Sequence, residues 1–409
     1  MNLDTDVIRR QFPFLKKLRE ERPVAYLDNA ATTQKPQAVL DRLEQFYAEH
    51  NANINRGMHP LAEEATVAYE NARSIVSRFI GAASPQEIIF TRNATESINL
   101  VARSYGELLK KDDGIALSLL EHHSNIIPWM QLSKRQGTTI DWIELQEDGR
   151  PDLGSLKNIL KKKKTKLVSI TGLSNVLGIR TPLQDIISLA HEAGAKVLID
   201  AAQLIAHATI DVQELDIDFL AFSGHKIYGP TGIGVLYGKQ ELLQSMPTFL
   251  GGGDMIASVD RDGFVPAELP RKFEAGTPSI ADAIGLGSAI EWMESIGVDP
   301  MRAQTKHVLA YARKKLESVK DLKILGPTSG NDLLGCVSFT VDGIHPHDCT
   351  ELLGQKGICL RAGHHCTQIL HKYLGVTAST RLSVAVYNTE EEIDRCIEEI
   401  IAAQKRFRK

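Results

Sequence analysis

Seven short apolar runs, spaced by helix-length amphipathic stretches, restrict the middle of this chain to a narrow group of folds. EIIFT (87–91), GIALSLL (114–120), TIDWIEL (139–145), KLVSITG (166–172), KVLIDAA (196–202), DFLAFS (218–223) and GIGVLYG (232–238) each read as a strand. Around them lie stretches such as PLAEEATVAYENARSIVSRFIGA (60–82) and PLQDIISLAHEAGA (182–195), with apolar residues three and four apart. Strands linked by helices of this length imply βαβ units, and so an α/β fold with a mostly parallel, doubly wound sheet. Ligands of such sheets gather beyond the C-terminal strand ends, which is where functional residues are to be sought.

The pattern breaks at Gly251–Gly253 and again in the Pro/Gly-containing segment Val265–Pro278. A long helical stretch is expected from Asp282 to about Val319. After it, DLKILGP, LGCVSFTV, GICLRAG and TRLSVAVY alternate with helices, the mark of a smaller α+β unit. The expected division is a large domain over 23–288 and a small domain made of 1–22 with 289–409. A chain of 409 residues has room for both.

Charge narrows the partners. With 47 Lys+Arg against 51 Asp+Glu there is no overall basic field, which argues against nucleic acid and against an anionic membrane surface. KKKKTK (161–166) reads as a solvated helix end. No apolar stretch approaches the ~18 residues of a membrane span, and the first residues lack the apolar core of a secretory signal. The five cysteines (Cys336, Cys349, Cys359, Cys366, Cys396) are odd in number and form no C-x-x-C pair. Neither a disulfide framework nor a four-cysteine zinc site is expected, and the usage suits a reducing cytoplasm with a thiol kept for chemistry.

The chemistry concentrates at the predicted strand ends. KVLIDAAQ delivers Asp200 and Gln203; DFLAFSGHK delivers Ser223, His225 and Lys226, followed by the Gly-rich turn YGPTG. A carboxylate and an amine around an anion-binding turn suit pyridoxal phosphate: the lysine binds the aldehyde and the acid partners the ring nitrogen. FTRNATESINLVA adds a helix N-terminus near Asn93-Ala94-Thr95 for the phosphate. His122 and His123 follow another strand, where one could stack on the ring; a zinc pair or surface histidines are the alternatives. In RAGHHC (361–366), Cys366 has cationic company in Arg361, His364 and His365, which favours thiolate. A metal cluster with His371 fits no common zinc spacing. Arg381, at the start of the strand in TRLSVAVY, suits bidentate capture of a carboxylate.

Taken together these segments resemble the class V aminotransferase family of fold-type I pyridoxal-phosphate enzymes, and within it the SUF-type cysteine desulfurases (SufS-like, group II). The resemblance runs end to end through YLDNAATTQKP, FTRNATESINLVA, LEHHSNIIPW, SNVLG, IDAAQ, FSGHKIYGPTGIGVLYG, FEAGTP and RAGHHC. It implies a PLP-dependent aminotransferase-like fold, with a large seven-stranded, mostly parallel domain and a small α+β domain carrying the cysteine loop. It also implies a homodimer with active sites at the interface. Lys226 then matches the cofactor-binding lysine, Asp200 the pyridine-nitrogen partner, Gln203 the phenolic-oxygen partner, and His123 the ring-stacking, proton-moving histidine. Ala94, Thr95, Ser223 and His225 match phosphate contacts, with Thr277 reaching the phosphate of the other protomer. Arg381, Asn175, Ala30 and Ala31 match the substrate-carboxylate side, and Arg361 the path to Cys366. NAT stands where GTT is commoner in the family, and CTQIL where CAQPL is common.

The activity so implied is conversion of L-cysteine to L-alanine, with a persulfide on Cys366 passed to a SufU-like or SufE-like acceptor and thence to the SUF scaffold complex for iron–sulfur cluster assembly. His347, in IHPHD, would engage the zinc of a SufU-like acceptor. No resident metal is expected. Alternatives are a selenocysteine lyase or another lyase or transaminase on the same cofactor scaffold, and a non-catalytic sulfur or metal carrier.

Overall fold

The computed structural model describes residues 3–19 and 22–407. Its centre is a seven-stranded sheet of β1 (Ile88–Thr91), β2 (Gly114–Ser118), β3 (Thr139–Ile143), β4 (Thr165–Thr171), β5 (Lys196–Asp200), β6 (Phe219–Ser223) and β7 (Gly234–Gly238), in the order β1-β7-β6-β5-β4-β2-β3. Only β7 runs against its neighbours, so the sheet is mostly parallel as the strand–helix alternation implies. Successive residues of the inner strands enter different clusters: Val197 and Ile199 face one core, Leu198 the other. Both faces are therefore dry, which is why these strands read as unbroken apolar runs.

Helix α1 (Pro60–Phe79) packs on α3 (Ile280–Ile296), with α2 (Ala94–Ser104) following β1. The single long helix expected from Asp282 is in fact two. Gly297 takes φ 97°, a left-handed turn suited to glycine, and α4 (Val298–Glu317) starts beyond it. A second sheet of β8 (Leu322–Ile324), β9 (Cys336–Val341), β10 (Arg361–Gly363) and β11 (Ser379–Ser383), ordered β8-β9-β11-β10 and antiparallel throughout, forms the small unit. Its apolar face is covered by α4, by α5 (Pro346–Gln355) and by α6 (Glu390–Phe407).

The expected boundaries shift. Ala25–Tyr26 pairs with Ile358–Cys359, and Ala25 and Leu27 lie in the small-unit core, so this segment does not open the large unit. Conversely Ile8, Phe12 and Leu15 bury in the large core, where Phe12 meets the Trp292 ring edge-on at 5.4 Å. Helix α3 crosses residue 288 and remains in that core through Met293. Aromatic burial, invisible to a reading by strand spacing, decides these placements.

One buried ion pair braces the approach to the FEAGTP segment. Arg73 on α1 donates to Glu274 at 2.7 and 2.9 Å and to the Ile88 carbonyl at 2.8 Å, while Glu274 also accepts the Phe90 amide at 2.7 Å and the Tyr69 hydroxyl at 3.1 Å. Both side chains are under a tenth exposed. Glu274→Gln would leave Arg73 only one charged partner, the half-exposed Glu70 at 2.9 Å, so the loss is expected at about 2–3 kcal/mol, below the ~3–5 kcal/mol of a fully stranded charge. Urea unfolding measures it; a loss under about 1 kcal/mol would contradict this assignment. No helix among the described residues is long and apolar enough to cross a membrane.

Candidate active site

The C-terminal ends of β1, β2, β4, β5 and β6 open on one cavity of about 450 Å³ between the two units. Register places Thr171 beside Asp200, and Asp200 beside Ala221 two residues before the end of β6. Asp200 is thus next to the turn that carries Lys226. Its carboxylate accepts the Ala202 amide at 2.9 Å; burial raises its pKa, and that amide and Lys226 oppose the rise. Burial pushes the Lys226 amine down to about 8, against the pull of Asp200, with Arg381 adding to the fall. A buried amine that loses its proton near neutral pH is a usable nucleophile and base.

The phosphate side is built where α2 begins. Asn93 caps the helix, its side chain accepting the Glu96 amide at 3.0 Å, and the Ala94 amide donates to Ser223 Oγ at 2.9 Å. Any side chain at Gly234 on β7 would start 2.4 Å from the Asn93 backbone, so glycine there lets the helix end approach the strand ends. Ala94, Thr95, Ser223 and His225 all line the cavity. Helix amides, two hydroxyls and an imidazole make a cradle of donors suited to a phosphate.

The two histidines after β2 divide differently from expectation. His122, not His123, lines the cavity. Its Nδ1 accepts the Ser124 amide at 3.1 Å, closing a short turn that keeps the ring on the cavity side. Burial, then Lys226, holds its pKa down at about 3, so the imidazole is neutral. His123 instead grips the cysteine loop: its amide donates to the Cys366 carbonyl at 2.8 Å and its Nε2 accepts the Gln368 amide at 3.2 Å. Adjacent residues on a turn face apart, and His-His carries no signal of which faces in.

Cys366 is the exposed cysteine; Cys336, Cys349 and Cys396 are buried and Cys359 is partly so. It sits with His365 in a pair of left-handed residues, φ 50° and 57°, an unfavourable backbone for side chains of this size. The turn is overdetermined. Asn175 Nδ2 donates to the His365 carbonyl at 2.9 Å, His123 holds the Cys366 carbonyl, and the Cys366 amide donates to His364 Nδ1 at 3.1 Å. His365 and His371 both turn to the buried Ser379 hydroxyl at 3.0 Å. Each ring thereby has Nε2 engaged, His365 Nδ1 being buried without a partner among the described residues, and among those residues no group of three or more His, Cys, Asp or Glu is placed to hold a metal.

On the small-unit side, Arg381 is 3% exposed and donates to the Asn175 carbonyl at 3.0 Å, while its Nε has no partner among the described residues. An orphaned buried N–H on a cavity wall suits a carboxylate. Ala30, Ala31, Asn175, Gln203 and Arg361 share that wall, with Gln203 Nε2 donating to the Ala30 carbonyl at 2.7 Å. Thr277 is exposed and lines a neighbouring cavity of about 800 Å³, away from the Lys226 of its own chain. His347, exposed on the first turn of α5, has its Nε2 3.9 Å from where a side chain on Gly363 would begin. Asp28 and Ser379 are site residues that the sequence did not single out by role, although Asp28 stood in a quoted motif; His122 was offered there only as one of two histidines able to stack on the ring.

Known proteins match this arrangement along its whole length. The family model for class-V aminotransferases covers residues 25–396. A cysteine desulfurase of Escherichia coli O8 is 45% identical over 399 residues, 97% of each chain. One of Haloferax volcanii is 41% identical over 419 residues, 99% of this chain and 98% of its own. Among solved structures, the apo cysteine desulfurase of Thermococcus onnurineus superposes with a TM-score of 0.94 at 37% identity, covering 99% of both chains. The S-sulfonic acid form of CsdA from E. coli gives 0.92 at 37%, covering 99% of this chain and all of its own. The chain belongs to the class-V aminotransferase family.

Proposed function

We propose that this enzyme is a pyridoxal-phosphate-dependent cysteine desulfurase, converting L-cysteine to L-alanine and leaving the sulfur as a persulfide on Cys366. One observation carries the reading: a buried amine with a depressed pKa, Lys226, and an exposed thiol, Cys366, line the same cavity. The residues fit the cofactor. Lys226 would hold its aldehyde carbon, Asp200 its ring nitrogen and His122 its ring face. Ala94, Thr95, Ser223 and His225 would hold its phosphate. Bound there, the cofactor withdraws electrons from the amino acid and so weakens the carbon–sulfur bond.

The chain's own groups supply the rest. Arg381 and Asn175 orient the substrate carboxylate, with Ala30 and Ala31 beside it. Lys226 Nζ would take the α-proton and return one to the α-carbon before alanine leaves. Cys366 Sγ, as thiolate, attacks the substrate sulfur: the sulfur–sulfur bond forms, the carbon–sulfur bond breaks, and the carbon gains a proton to become the methyl of alanine. The proton given up by the Cys366 thiol balances the one gained at carbon.

The finer reading is a cytoplasmic homodimer in which Thr277 completes the partner's phosphate site, with a SUF-type acceptor collecting the sulfur. The exposure of Thr277 outside its own cavity supports the dimer. The position of His347 beside the cysteine loop supports an acceptor that engages it, through zinc if SufU-like. Measuring alanine from cysteine with and without a zinc-loaded acceptor tests both levels. His347→Ala should keep the basal rate and lose most of the acceptor stimulation; unchanged stimulation would remove His347 from this role.

A further inference from the structure

A buried line of hydrogen bonds runs behind the cysteine loop, and its direction follows from what each atom can donate. Burial lowers the pKa of His365 and of His371, so each ring holds one proton. The Thr367 carbonyl can only accept; His371 Nδ1, 3.1 Å from it, therefore carries that ring's proton. His371 Nε2 is left as an acceptor and takes the Ser379 hydroxyl proton at 3.0 Å. With that proton used, Ser379 Oγ accepts from His365 Nε2, also at 3.0 Å. The line points one way, from His365 through Ser379 and His371 to the Thr367 carbonyl. All three side chains are buried.

Ser379 opens β11 opposite Gly363, the last residue of β10 before the cysteine loop. Strand alternation puts it on the face that carries Arg381, away from Leu382 in the small-unit core. His365 and Cys366 hold their left-handed backbone only because their surroundings impose it. Asn175 and His123 grip the two carbonyls. The His365 ring has a single hydrogen bond among the described residues, the one to Ser379, since its Nδ1 has no partner. We propose that Ser379 is a positioning residue for the Cys366 thiol: its hydroxyl, aimed by His371, clamps the His365 ring and so holds the left-handed pair that keeps Cys366 at the cavity. The inference rests on the reading that Cys366 takes the substrate sulfur, and Ser379 itself touches neither substrate nor cofactor.

The competing account is a polar cluster that only stabilises the small unit. Two steps read separately on the holoenzyme distinguish them. Exchange of the α-proton of L-alanine in heavy water uses Lys226 and not Cys366. Sulfur transfer is read from a single turnover with L-cysteine, by mass spectrometry of the Cys366 peptide. In Ser379→Ala the exchange should stay within twofold of wild type while sulfur transfer slows about tenfold, less than the ~100-fold that a misplacement of 1 Å can cost. Ser379→Thr, which keeps the hydroxyl, should recover most of that loss. Sulfur transfer within twofold of wild type in Ser379→Ala overturns the assignment, as does an equal fall in both steps. If Ser379→Ala does not fold, His371→Leu decides, because it leaves the hydroxyl unaimed: transfer should slow at least threefold with exchange unchanged, and an unchanged transfer overturns the assignment. A wild type that exchanges alanine but gains no sulfur on Cys366 would remove the reading of that thiol first, and this inference with it.

Discussion

Lys226→Ala will lower alanine formation from cysteine by at least about 10³-fold, because one amine is asked to do two jobs. In the proposed scheme it holds the cofactor covalently, and its neutral form takes the α-proton; positioned acid–base groups alone contribute about 10²–10⁴. The wild-type amine, held at about 8 by burial, is neutral in about a tenth of molecules at pH 7 and half at pH 8. Cofactor uptake by the apo protein should therefore quicken from pH 6.5 to 8 and level off above, followed by the yellow absorbance of the bound cofactor. Lys226→Ala should show no such chromophore, and reduction with borohydride should leave no pyridoxyl group at position 226. Rapid alanine formation by this variant would refute the central assignment, as would a wild-type lysine left unmodified by borohydride.

Cys366→Ser separates sulfur transfer from everything before it. The serine hydroxyl is far less acidic and less nucleophilic toward sulfur, so turnover of cysteine should fall by about 100-fold or more while the cofactor still binds. Cysteine binding, read from the cofactor absorbance, should change little, since the proposed carboxylate contacts, Arg381 and Asn175, are untouched. Mass spectrometry of the wild type after one turnover should find an added sulfur on the peptide containing Cys366 and none on Cys336, Cys349 or Cys396, which are buried. Alanine release by Cys366→Ser at the wild-type rate would remove the thiol from the mechanism.

The large sheet was legible because its strands are buried on both faces, and continuous apolar runs bounded by helices leave few other folds. Lys226 and Asp200 were legible because strand ends of such a sheet converge, so two distant motifs had to meet. Three things were not. The choice between His122 and His123 depends on a turn closed by one amide, Ser124, and neighbouring identical residues give no clue to it. The break at Gly297 lay within a helix-like pattern, where one glycine is commonly tolerated. The destinations of Phe12 and Ala25 depend on partners more than 200 residues away, Trp292 and Ile358, which no local pattern reports. Asp28 belongs with these: its motif was visible, but its pairing exists only once Arg361 and Arg381 are folded around it.

The turn at Cys366 has a consequence for traffic. Its carbonyl and that of His365 are tied to the large unit by His123 and Asn175, while the strand leading into it belongs to the small one. The thiol is thus fixed on the seam between the two units and already open to the outside. In the proposed scheme a sulfur atom loaded there stays reachable from outside while alanine still occupies the interior, so unloading and product exit need not wait for each other.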